Sequence, residues 1–181
     1  GAETIEAPSR NYGCDLDAIL DAATDRTKII FIANPNNPTG TLLSADEVER
    51  FMARVPPHLI VVFDEAYYEY VDRMPDTLRY VREGRSVVVL RTFSKIHGLA
   101  SVRVGYGIAP PELIEVLQKT REPFNVNGIG QIGALAALAD EKHQRKTKEL
   151  TDEGRTYLEK EFTAMRLRFV PGAANFVLVN V

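Results

Sequence analysis

Apolar positions along this chain fall into short unbroken runs, and each run gives way to turn-forming or polar residues. The segment KIIFIAN (28–34) reads as a strand buried on both faces, because a half-exposed strand would alternate apolar with polar positions. NPNNPTG (34–40), dense in Asn, Pro and Gly, reads as a loop. At 44–47 the residues SADE form a capping box, and the helix it starts continues through VERFMARV. LIVVF (59–63) is a second buried strand ending at Asp64, a polar stretch with helical character follows, and SVVVLRTF (86–93) is a third strand.

That order of elements predicts an α/β fold, a mostly parallel sheet with flanking helices. SVRVGYGIA (101–109) reads as a further strand, antiparallel to its predecessor because the connection is too short for a crossover helix. PPELIEVLQKTRE (110–122) begins with prolines suited to a first helical turn. Residues 128–163 read as two long helical stretches. The first is small and apolar, hence expected to be buried; the second is charged with an apolar stripe, hence amphipathic. FVPGAANFVLVNV (169–181) returns to strand character. The change in texture divides the chain into residues 1–127, an α/β layer, and residues 128–181, the start of a smaller α+β unit.

Composition narrows the classes without choosing among them. With 181 residues, 45% apolar and 26% charged, the chain is long enough for one core plus an appendage. A net charge of −3 with mixed signs and no basic stripe speaks against nucleic acid. Cys14, the single cysteine, excludes an internal disulfide and fits a reducing compartment. No apolar run approaches the roughly 20 residues of a membrane span, and the N-terminus has no signal-peptide pattern, so a cytoplasmic location is the default. Both ends look cut, the last on the strand-like ANFVLVNV, so the chain reads as a fragment of a longer protein.

In open α/β sheets ligands sit beyond the carboxyl ends of the strands. Residues 34–40, Asp64 and Lys95 each follow a buried strand, so the pattern gathers them at one edge. Singly, each has an ordinary explanation. Asp64 would serve as a helix cap, Tyr67 as a core aromatic, NPNNPTG as any turn, and Lys95 as a surface lysine. Arg103, within a strand-like segment, is odder, because it needs an anion to face. His58, His97 and His143 make no metal-ligand spacing with one another.

As a set, NPNNPTGT, DEAY, and TFSK with an arginine eight positions after the lysine resemble the fold-type I pyridoxal-phosphate aminotransferases. Within them REPFNVN (121–127) and ANFVLV are similar to the histidinol-phosphate branch. The resemblance implies pyridoxal 5′-phosphate as cofactor and a large cofactor-binding domain to which residues 1–127 belong. It implies that Lys95 joins the cofactor covalently and shuttles the proton, and that Asp64 faces the pyridine nitrogen. It assigns Tyr67 and Asn37 to the ring oxygen, Arg103 to the phosphate, and Thr92 and Ser94 to hydroxyl positions near that phosphate. Asn125 and Asn127 fall in a site-lining segment without assigned roles.

The family's upstream phosphate loop and ring-stacking aromatic, and its downstream carboxylate-gripping arginine, match nothing in this chain. The expected activity is amino transfer between glutamate and imidazole-acetol phosphate, on small amino- and keto-acid substrates in a homodimeric parent, with the chain alone inactive. An aromatic amino-acid aminotransferase, a phospho-amino-acid decarboxylase, and a ligand-sensing or dimerisation fragment are the alternatives.

Overall fold

Three apolar runs capped by polar turns become three adjacent strands of a four-stranded sheet in the computed structural model, which describes residues 2–181. A short hairpin, β1 (Ser9–Arg10) and β2 (Gly13–Cys14), leads into α1 (Leu16–Ala22). Asp15 starts that helix by accepting from the amides of Asp17 and Ala18. β3 (Ile29–Ala33), α2 (Ala45–Arg54), β4 (Ile60–Asp64), α3 (Leu78–Arg82) and β5 (Val87–Thr92) follow, with a 3₁₀ turn over Tyr68–Tyr70 between β4 and α3. β6 (Gly105–Ile108), α4 (Pro111–Thr120), α5 (Gly128–Ala139), α6 (Glu141–Ala164) and the hairpin β7 (Phe169–Val170) and β8 (Leu178–Val179) complete the chain.

The sheet order is β3-β4-β5-β6. β3, β4 and β5 are parallel, and β6 returns antiparallel along β5, as the short connection requires. In register, Ile32, Phe63, Val89 and Ile108 line up on one face, and α1, α2 and α3 cover it. α2 owes its start to the capping box: the Ser44 hydroxyl accepts from the Glu47 amide at 3.3 Å and the Glu47 carboxylate accepts from the Ser44 amide at 2.8 Å. Val48, Phe51 and Met52, at helical spacing, then pack into that core.

Three sequence expectations change. β3 is buried on one face alone: Ile30 and Ile32 are buried, whereas Phe31 is 70% exposed. β3 is an edge strand, and no element among the described residues covers its second face. The strand expected over 101–109 is confined to β6; Ala100–Val102 form a 3₁₀ turn, and Arg103 takes a left-handed conformation with φ 56° and ψ 57°. Arg103 therefore stands in a turn ahead of the strand.

α5 is not buried, because its small residues face inward while Ile129, Ile132, Leu135 and Leu138 face outward and are exposed. Gly130 and Ala134 form its buried contact, against the layer that contains Phe93 and Val104. α6 likewise buries no residue fully, and Leu150, Tyr157 and Leu158 remain exposed.

Candidate active site

The loop after β3 is held by its own polar side chains. Asn34, almost fully buried, donates its amide to Asp64 O and accepts from the Leu43 amide at 2.8 Å, which ties the loop to β4 and to the approach to α2. Asn36 closes the turn through Thr39 Oγ1 at 2.8 Å and through the Gly40 amide at 2.7 Å. Gly40 has φ 77°, and a Cβ there would stand 2.9 Å from Cα of Gly172. The turn thus lies backbone to backbone against the segment between β7 and β8. Asn37, freed from closing the turn, donates Nδ2–H to Tyr67 Oη at 2.9 Å.

Tyr67 is 4% exposed and packs with Tyr70, Ile96 and Ala174, its ring edge-on to Phe176 at 5.3 Å. Lys95 Nζ lies 5.0 Å from the centre of the same ring. Lys95 sits in the turn after β5, where the Gly98 amide donates to Lys95 O at 2.9 Å and Gly98 adopts φ 71°. Thr92, the last residue of β5, accepts from the Ser94 amide at 3.0 Å. Arg103 reaches back from its left-handed turn, donating to Ala100 O at 2.7 Å and to Ser94 Oγ at 3.4 Å.

Asp64, Lys95, Arg103, Thr92 and Ser94 line one open cleft of about 400 Å³ at the carboxyl edge of the sheet, together with Ala66, Leu90, Arg91 and Ala100. Asp64 is the final residue of β4 and also caps the following turn, accepting from the Ala66 amide at 3.1 Å. Asn37 and Tyr67 connect to this cleft through the Lys95 contact with the Tyr67 ring. Asn125 and Asn127 are placed elsewhere. Asn125 accepts from Arg121, and Asn127 caps α5 through the Gly130 amide while donating to Val102 O.

Two further charged residues stand at the same edge and were not singled out from the sequence. Glu65 is 0% exposed, and its Oε2 accepts from Arg91 Nε at 3.0 Å and Nη2 at 2.9 Å. Thr77 donates its hydroxyl to Oε1, and the Arg91 guanidinium lies 3.4 Å over the Tyr68 ring. Burial pushes the Glu65 carboxyl above the ordinary carboxylate range, with the Thr77 and Arg91 donors opposing it. Strict alternation along a strand was the available signal: if Asp64 faces the cleft, its neighbour must face the other way.

A negative group, an amine and a guanidinium spread over a cleft of this size suit a small ligand with an anionic end, an electron-poor ring and a carbonyl. That donor set fits pyridoxal 5′-phosphate: a fork for the phosphate, a carboxylate for a ring cation, and a primary amine for the aldehyde.

Comparison with known proteins bears on the same chemistry. The sequence pattern of the family "Aminotransferase class I and II" matches residues 1–181. A histidinol-phosphate aminotransferase of Akkermansia muciniphila is 51% identical over 182 residues, covering 100% of this chain and 50% of that protein. One of Moorella thermoacetica is 49% identical over 184 residues, covering 100% of this chain and 48% of the relative. Among solved structures, histidinol-phosphate aminotransferase from Sinorhizobium meliloti in complex with pyridoxal-5′-phosphate superposes with a TM-score of 0.89 at 30% identity. That superposition covers 97% of this chain and 48% of the other. The chain spans about half the length of the curated relatives it matches.

Proposed function

The chain belongs to the aminotransferase class I and II family, and from that premise we propose that its cleft holds pyridoxal 5′-phosphate and serves amino transfer. The observation that carries the proposal is the convergence of Asp64, Lys95 and Arg103, each from a different strand end or turn, on one cleft. When bound, the cofactor would supply an electron-accepting ring conjugated to a carbon that exchanges amines.

Each residue then has a separate task. Lys95 brings the primary amine that joins the cofactor aldehyde and afterwards carries a proton at Nζ. Asp64, as a carboxylate, holds a proton on the ring nitrogen by charge. Arg103 offers its fork to the phosphate, with the Thr92 and Ser94 hydroxyls beside it. Tyr67, oriented by Asn37, donates its own phenolic hydrogen toward the ring oxygen.

For the whole protein the proposal is transfer of an amino group between glutamate and imidazole-acetol phosphate, in a cytoplasmic homodimer of the histidine biosynthetic route. The names and identities of the full-length relatives support this substrate pair. No helix among the described residues is long and apolar enough to cross a membrane.

The test is covalent. The protein is incubated with pyridoxal 5′-phosphate, reduced with borohydride and digested, with Lys95→Ala as control. The phosphopyridoxyl group is expected on Lys95 and absent from the variant. A label on another lysine, or none on the wild type, would overturn the proposal.

A further inference from the structure

We infer that Glu65 and Arg91 are positioning residues of the cleft, a buried charged tie that sets the spacing between the strand end bearing Asp64 and the turn bearing Lys95. The inference rests on the cofactor reading above, but its geometry stands independently. β4 and β5 run parallel, with Asp64 opposite Leu90 in register and the Glu65 amide donating to Leu90 O at 2.9 Å. Side chains alternate across a sheet, so Asp64 and Thr92 project to the cleft, while the guanidinium of Arg91, a residue that also borders the cleft, turns to the buried Glu65 carboxylate. The tie therefore lies directly beside the residues that line the cleft.

Its construction is unlike that of the surface ion pairs. Arg54 with Asp17 and Arg82 with Asp76 are half-exposed or more, as surface pairs are. Glu65 is fully buried and Arg91 is 12% exposed at its side chain. Both carboxylate oxygens are engaged: Oε2 takes the two Arg91 donors, and Oε1 takes Thr77, itself buried. The Tyr68 ring closes the remaining side of the guanidinium.

A buried pair of this kind contributes little net stability compared with apolar residues of similar volume. What it does supply is direction, because a guanidinium fork and a carboxylate meet in few geometries. It also leaves no net charge beneath a cleft whose chemistry depends on one carboxylate and on cationic groups. Glu65 follows Asp64 directly and Arg91 precedes Thr92 directly, so a shift of either partner moves a cleft residue with it.

The test compares the wild type with the paired variant Glu65→Leu plus Arg91→Met, which removes the tie and keeps an apolar filling. Three quantities are read: thermal midpoint, amide hydrogen exchange, and uptake of pyridoxal 5′-phosphate with the wavelength of its bound band. The expected result is a midpoint within a few degrees of wild type and exchange at Glu65, Phe93 and Ser94 at least about tenfold faster. Exchange at Ile30 and Ile32 should be unchanged. Cofactor affinity should fall at least about tenfold with a displaced band, and Arg91→Lys should regain part of it.

Wild-type exchange at the three amides together with wild-type affinity would overturn the inference. So would faster exchange spread evenly over all strands, the mark of a merely structural role. If the paired variant does not fold, Thr77→Val is used, which removes one donor to Glu65; the same local pattern in smaller measure is expected, and wild-type behaviour overturns the inference. Should the wild type itself take up no cofactor, the proposed function fails, while the exchange comparison still decides the positioning role.

Discussion

Asn37 and Tyr67, separated by 30 positions in sequence, meet in a hydrogen bond of 2.9 Å that joins the loop after β3 to the segment after β4. Tyr67 accepts from Asn37 and keeps its own hydrogen free to donate. Replacing Tyr67 by Phe keeps the ring against Phe176 and Ile96 but leaves the Asn37 amide without its acceptor. The expected cost is about 1 kcal/mol of stability, read as a lower midpoint in denaturant. The absorbance of bound pyridoxal 5′-phosphate should shift as well if Tyr67 faces its ring oxygen as proposed; an unshifted band would remove Tyr67 from the site.

Asp64→Ala separates chemistry from folding. Asp64 is exposed, and in the structure it satisfies a single backbone amide, that of Ala66. Loss of such a cap costs about 0.5–2 kcal/mol. Amino transfer by the full-length protein should fall far more, by about 10²–10³-fold, as when one preorganised charge at a reacting centre is removed. Cofactor should still be retained. A rate loss no larger than the stability change predicts would show that Asp64 is a turn cap and nothing else.

Arg103→Gly sets two opposite effects against each other. Glycine relieves a left-handed backbone that costs an L-residue roughly 1–2 kcal/mol, while the bond to Ala100 O, worth about 1 kcal/mol, is lost. The thermal midpoint should stay near wild type or rise. Uptake of pyridoxal 5′-phosphate should weaken at least about tenfold, because nothing replaces the fork. Affinity equal to wild type by titration would move the phosphate site elsewhere.

His97 gives a pH signature. Its ring is buried beside Phe93, with Nε2 3.7 Å from Glu69 Oε1, and His143 of α6 lies near. Burial first, then the His143 charge, pushes its pKa below the ordinary 6.5. A depressed histidine favours the folded state above pH about 6.5, and that stability is lost as pH falls through the lower folded value. Glu69 works the other way, since burial raises its carboxyl, so its contribution is present at low pH and lost as pH rises through the raised value. His97→Gln should flatten the fall in unfolding free energy below pH about 6.5. Parallel curves for wild type and variant would exclude the effect.

Much of this architecture is legible in residue order, for identifiable reasons. The capping box at Ser44 and Glu47 is a local device, so its spacing alone predicts the start of α2. Asp64 and Lys95 come to one cleft because a parallel sheet carries the ends of its apolar runs to one edge. Phe31 is misjudged as buried because burial belongs to the neighbours a strand acquires, and β3 acquires a partner along one edge and a cover on one face. α5 fails similarly: small apolar composition permits close packing at Gly130 but does not supply a partner for Ile132. The sequence places Arg103 in a strand because apolar neighbours mask a left-handed turn that no glycine announces. Glu65 and Arg91, 26 positions apart, each look like an ordinary surface charge until the sheet brings them together.

The close approach of Gly40 and Gly172 makes two distant stretches of chain into a single mechanical part. With no side chain between the two backbones and the Ala173 amide bonded to Gly40 O at 2.8 Å, residues 172–173 are fastened to the loop that carries Asn37. Phe176 extends the same linkage to the ring of Tyr67. The C-terminal hairpin is thereby stitched to the very loop and aromatic proposed to hold the cofactor's oxygen.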